Sequence, residues 1–122
     1  MTKTESFSEH KYINLETYRK SGKPVRTPVW FVLFDDLIYV ITREKTGKVR
    51  RIKNRHDIKI APCTFSGKPI GAWVLGQANF VKNEEAQKAI HLRKKKYGVM
   101  AKIANFFTSQ KGNFVVISIK LD

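Results

Sequence analysis

Val25-Arg-Thr-Pro-Val-Trp-Phe-Val-Leu-Phe34 and Leu37-Ile-Tyr-Val-Ile41 are two β-type runs held apart by only Asp35-Asp36. Branched and aromatic residues suit a pleated strand, and a two-residue connection between two strands allows little besides an antiparallel hairpin. Pro28 cannot donate a ladder hydrogen bond, so it marks a sheet edge or a bulge. In this reading Val29, Phe31 and Leu33 point to the core and Trp30 to the other face. Pairing of the two runs would bring Arg26 or Thr27 beside Arg43, at the end away from the turn.

The rest of the chain follows the same rhythm. Tyr12–Tyr18 alternates as a first strand, and Gly22 and Pro24 punctuate the turn after it. Asp57–Cys63, Ala72–Val81 and Phe114–Leu121 supply three more strands, with Gly76 as a bulge or a point of close backbone approach. Asn83 suits the N-cap of a helix over Glu84–Lys96, which has acids at its start and bases at its end. A second helical piece is expected around Val99–Thr108. Residues 1–10 read as a loose tail with room for a short helix. Six strands on tight turns, with the helices inserted late, predict a mainly β chain with short helices that closes into a small antiparallel barrel. A length of 122 residues and 42% apolar content fit a single domain over 1–122 with a real core.

The third strand empties into Thr42-Arg-Glu-Lys-Thr-Gly and then into a short helical pattern, Lys48-Val-Arg-Arg-Ile-Lys. A helix N-terminus offers unpaired N–H groups and partial positive charge, so a strand–turn–helix of this kind is a place to hold a phosphate. Thr42 would meet the anion from the strand end, Lys48 would pair with it, and Arg50 would reach it from one side of the helix. The Gly-rich spacing of a P-loop is missing. Taken alone, the turn is weak evidence, because Thr-Gly-Lys is a common surface turn whose charges need only be solvated.

Composition bounds the partners. Lys and Arg number 24 against 10 Asp and Glu, a net charge of +14, which favours an anionic partner but does not say which. A nucleic-acid-binding barrel is the weaker reading, because the aromatics sit among apolar runs and are not interleaved with cations as in a stacking platform. His91 and Arg93–Lys96 read as a solvated helix end, with contact to a nucleic-acid backbone as the alternative. Trp73 reads as core, or as a flat wall for a planar ligand. A lone cysteine, Cys63, excludes an internal disulfide and reads as buried and inert, and no Cys/His set suggests a metal. With no apolar span of bilayer length and no signal-peptide core, the expected location is the cytoplasm, away from membranes.

Thr27-Pro28-Val29-Trp30-Phe31, Tyr39-Val40-Ile41-Thr42-Arg43, Gly47-Lys48-Val49-Arg50-Arg51-Ile52, Ala61-Pro62-Cys63 and Gly67-Lys68-Pro69-Ile70-Gly71 occur together and in this order. In that combination the chain resembles the pyridoxamine 5′-phosphate oxidase-like, FMN-binding split β-barrel proteins, and within them the short deazaflavin (coenzyme F420)-dependent oxidoreductase branch. The resemblance covers about Tyr12 to Leu121. It implies a six-stranded split barrel, a homodimer with cofactor sites at the interface, and FMN or coenzyme F420 as cofactor. It also implies hydride transfer to or from an unidentified small-molecule substrate. Cofactor phosphate would be held at positions matching Thr42, Lys48 and Arg50. Arg26 and Thr27 would sit at the opening of the second strand, and Trp73 near the ring system. No side chain is required as a catalytic acid or base, and no metal is implied. A non-catalytic flavin carrier or sensor on the same fold is the alternative. The Arg-x-x-Leu-Leu-Lys and Ser-Arg-Lys patterns of true pyridoxamine phosphate oxidases are missing, so that substrate is not expected.

Overall fold

The computed structural model describes residues 2–108 and 113–122, with side chains for 2–98 and 113–122. Among the described residues seven strands form one antiparallel sheet: β1 (Ile13–Tyr18), β2 (Pro24–Val29), β3 (Val32–Phe34), β4 (Leu37–Arg43), β5 (Asp57–Pro62), β6 (Val74–Val81) and β7 (Phe114–Leu121). Helix α1 (Gly47–Asn54) links β4 to β5, and helix α2 (Asn83–Thr108) links β6 to β7. The strand order is β2-β1-β5-β6-β7-β4-β3, which is the curled sheet of a split barrel.

The run expected as one strand over Val25–Phe34 is two strands, which raises the count from six to seven. The chain breaks at Trp30-Phe31 and passes from one edge of the sheet to the other. Consequently β2 pairs with β1, Arg26 opposite Glu16 and Thr27 opposite Leu15, and only β3 pairs with β4. The expected meeting of Arg26 or Thr27 with Arg43 across a β2–β4 ladder therefore does not form. Pro24 and Pro28 lie on the edge strand β2, where their missing donors cost least. Asp35 and Asp36 both take positive φ, 52° and 61°, the geometry that lets a two-residue turn follow the twist of its strands.

Two apolar clusters hold the sheet. Ile13, Leu15, Phe31, Ile38, Val40, Ile58, Ile60, Ile117 and Ile119 fill the barrel interior, and Ile52 of α1 packs with them. Burying each such side chain contributes about 1.5–3 kcal/mol. Val32, Tyr39, Ala86, Ala89, Tyr97 and Val116 form the second cluster beneath α2. Alternation along β4 explains the split: Ile38 and Val40 point into the barrel, Tyr39 to the helix. Phe31 and Trp30 divide in the same way, as read from the sequence. Residues 5–7, inside the expected tail, form one turn of 3-10 helix whose Phe7 packs into the barrel cluster.

Helix α2 changes direction at Gly98, whose φ of 44° and ψ of −117° suit a residue without a Cβ. The two expected helical pieces are thus consecutive arms about this kink. Cys63 is buried and free, and burial pushes its thiol pKa up. Among the described residues no helix is long and apolar enough to cross a membrane.

Candidate functional site

Strand β4 ends where the chain must leave the sheet, and α1 begins at Gly47 to cap the barrel. That local path brings Thr42, buried near the strand end, and Lys48, in the first turn of α1, to one wall of a cleft of about 340 Å³. Thr46 precedes α1 without capping it: its hydroxyl donates to the Arg43 carbonyl at 3.0 Å, and no acid lies in the first turn. Burial, with Arg51 as a second cause, lowers the Lys48 pKa.

The rest of the lining comes from distant segments. Pro28, Val29 and Trp30 arrive at the end of β2, Ile41 from β4, Tyr12 from before β1, Phe65 from the β5–β6 loop and Arg93 from α2. Tyr12 and Phe65 meet edge to face with centroids 5.9 Å apart. Trp30 stacks on Tyr97 at 4.4 Å and 9°, and the Arg93 guanidinium lies 5.3 Å from the Trp30 ring centroid. The cleft therefore offers flat aromatic surface beside two cations, a set suited to a planar ligand that carries an anionic group.

A larger cavity of about 510 Å³ lies by the Asp35-Asp36 turn, but its Lys3 and Thr4 side chains are already engaged. Lys3 Nζ donates to the Asp122 carbonyl at 2.6 Å, and the Thr4 hydroxyl to the Asp36 carbonyl at 3.2 Å. It also carries acids of its own, which makes it a poor receptor for an anion.

Of the six residues picked out by sequence, the cleft joins Thr42 and Lys48. Arg50 is exposed on α1 and lines no wall of it. Thr27 is half-buried on β2 and stops one residue short of the lining. Arg26 and Trp73 do meet, but elsewhere: the Arg26 guanidinium lies 4.6 Å over the Trp73 ring and pairs with buried Glu16 at 2.9 Å. The Glu16 carboxylate also accepts from the Tyr18 hydroxyl at 2.6 Å. Tyr12, Trp30 and Phe65 were not singled out as ligand contacts by sequence reasoning, and Arg93 only as part of a charged helix end that could meet a nucleic-acid backbone.

This second cluster has a pH signature. Burial alone would raise the Glu16 pKa. Hydrogen bonds from Tyr18 and Arg26, with the charges of Arg26 and Lys59, outweigh it and hold the value below 4.5. The Tyr18 phenol is pushed up to about 12, by burial first and by Glu16 second. A carboxylate with a depressed folded-state pKa adds stability that is present above its unfolded value and lost as pH falls through the folded one. Unfolding measured from pH 6 down to pH 3, roughly the range in which such a group titrates, should show the acid-side loss reduced in Glu16→Gln. An unchanged slope would show that Glu16 does not carry it.

The class is thus defined by a split barrel with an anion-suited aromatic cleft at the β4–α1 junction. Residues 3–122 match the pyridoxamine 5′-phosphate oxidase family, and the chain belongs to it. Solved structures agree on the fold. HutZ, the heme storage protein from Vibrio cholerae, shares 16% identity at a TM-score of 0.74, over 97% of this chain and 86% of that one. An FAD-binding protein from Mesorhizobium loti shares 13% identity at a TM-score of 0.65, over 98% and 84%. A heme binding protein from Mycobacterium smegmatis shares 14% identity at 0.66, over 98% of this chain but 50% of its own. No curated protein matches the sequence significantly.

Proposed function

We propose that the chain is a flavin- or deazaflavin-dependent oxidoreductase that binds FMN or coenzyme F420 at the β4–α1 cleft. The observation that carries this reading is the convergence of Thr42 and Lys48 with the aromatic walls of Tyr12, Trp30 and Phe65 in one cleft. Lys48 would pair with the phosphate, Thr42 would hydrogen-bond to it from the strand end, and the aromatic and apolar walls would exclude water from the ring. The cofactor, once bound, supplies hydride transfer to or from a small-molecule substrate, and the protein supplies binding and orientation. Membership of the oxidase family and the FAD-binding neighbour support a flavin. The heme-binding neighbours raise haem as a second ligand, for which the Tyr12 phenol is the one side chain of an iron-ligating type among the described lining residues.

A homodimer accompanies the proposal. Phe65, at the mouth of the cleft, is 79% exposed, and Ile70 of the same loop 55%. A second copy would cover both and close the site.

Purified chain titrated with FMN and with coenzyme F420 tests the proposal. One of them is expected to bind at micromolar affinity or better. Lys48→Ala should weaken that binding by about tenfold to a hundredfold, since a hydrogen bond to a charged group is worth about 1.5–3 kcal/mol. Absence of binding by both ligands would overturn the assignment. Binding without turnover of any acceptor would leave a flavin carrier or sensor in its place.

A further inference from the structure

Arg93 is the cation that charge counting places in a solvated helix end, yet α2 carries it inward. Ala86, Ala89 and Tyr97 on the same helix lie in the cluster beneath it, and Arg93 falls on their stripe at helical spacing. Its guanidinium rests beside Trp30 and reaches the wall of the cleft. There its Nε is buried and has no hydrogen-bond partner among the described residues. Partial burial lowers its pKa, but a guanidinium stays charged, so the site contains a half-buried cation facing the same space as Lys48. A buried N–H without an acceptor is costly, and native structures keep such groups where something else satisfies them.

We propose that Arg93 is a second anion-binding residue of the cleft, donating guanidinium N–H groups to the phosphate or other anionic group of the ligand that Lys48 engages. The proposal deepens the cofactor reading and rests on it for the location of the site. Arginine suits this role because its planar fork can grip two oxygens at once while its flat face stays on Trp30. It also gives α2 a part in ligand binding that the strand–turn–helix segment alone does not have.

The test uses inorganic phosphate, FMN and riboflavin as probes on the whole chain. Arg93→Met keeps a side chain of similar length against Trp30, and Arg93→Lys keeps the charge without the fork. Arg93→Met is expected to weaken phosphate and FMN by at least fivefold while moving riboflavin less than twofold, with Arg93→Lys in between. FMN and phosphate binding within twofold of the parent in Arg93→Met would overturn the proposal, as would equal losses for FMN and riboflavin. Parent chain that binds phosphate through Arg93 but neither FMN nor coenzyme F420 would sustain this inference and sink the cofactor reading. Parent chain that binds none of the three sinks both. Should Arg93→Met fail to fold, a fivefold loss of phosphate in Arg93→Lys is the deciding result.

Discussion

Valine at position 76 is expected to cost about 3 kcal/mol of stability or more, because the space where its side chain would go is occupied by backbone. Gly76 is buried in β6 and lies opposite Leu121 of β7. A Cβ there would stand 2.8 Å from the Lys120 carbonyl oxygen and 3.3 Å from Ile119 Cγ2 and Leu121 Cδ2. The side-chain neighbours could yield by a few tenths of an ångström. The carbonyl cannot yield without shifting β7, which pairs with β6 on one side and with β4 on the other. Since β4 ends in Thr42, the distortion would reach the cleft. Urea unfolding should give a graded series, Gly76→Ala losing about 1–3 kcal/mol and Gly76→Val more. A Gly76→Val chain within 1 kcal/mol of the parent would show that the sheet relaxes freely at this point, contrary to its packing.

Gly76 was legible as a close approach because a glycine amid strand formers has few other uses. No bulge accompanies it: Ile58 and Leu121 pair with it in unbroken register. Other elements were legible for the same local reasons. The Asp35-Asp36 turn, the strand Phe114–Leu121 and the meeting of Thr42 with Lys48 all depend on residues close together in the chain. What the sequence hid was the break at Trp30-Phe31. Val29 to Phe34 is unbroken by glycine or proline, so nothing local announces that β2 and β3 lie at opposite edges. Arg26 was accordingly expected near Arg43, and instead it pairs with Glu16 beside Trp73. Tyr12, Phe65 and Arg93 come to the cleft through long-range folding, which no local window reveals. Arg93 did leave a trace: Ala86, Ala89, Arg93 and Tyr97 recur at helical spacing, a stripe that the surrounding run of lysines obscures.

Removal of one oxygen atom in Tyr97→Phe is expected to cost about 2–3 kcal/mol, from the hydrogen bonds it leaves unmade. The Tyr97 hydroxyl accepts the Phe31 N–H at 2.9 Å, and the Lys11 carbonyl at 2.7 Å and the Phe31 carbonyl at 3.0 Å lie within reach of its own proton. It thereby ties α2 to the Trp30-Phe31 crossing and to the segment just before β1. Lys96 Nζ donates to the Phe31 carbonyl at 3.0 Å, so that oxygen keeps a partner in the variant. The buried Phe31 N–H has no such substitute among the described residues, and leaving it without an acceptor is the larger part of the cost. Phenylalanine preserves the ring that stacks on Trp30, so the loss isolates the hydroxyl from the stack. Burial pushes the phenol pKa up, hence the hydroxyl is neutral and the deficit should be the same from about pH 5 to 7, below the range in which Lys96, pushed down to about 8 by burial, loses its proton. Denaturant midpoints for the two chains, compared at both ends of that range, measure it directly. A loss below about 0.5 kcal/mol would mean that water satisfies the Phe31 amide, and that the crossing is held by packing alone. The expected loss would instead make this hydroxyl the polar tie that keeps Trp30 in the wall of the cleft.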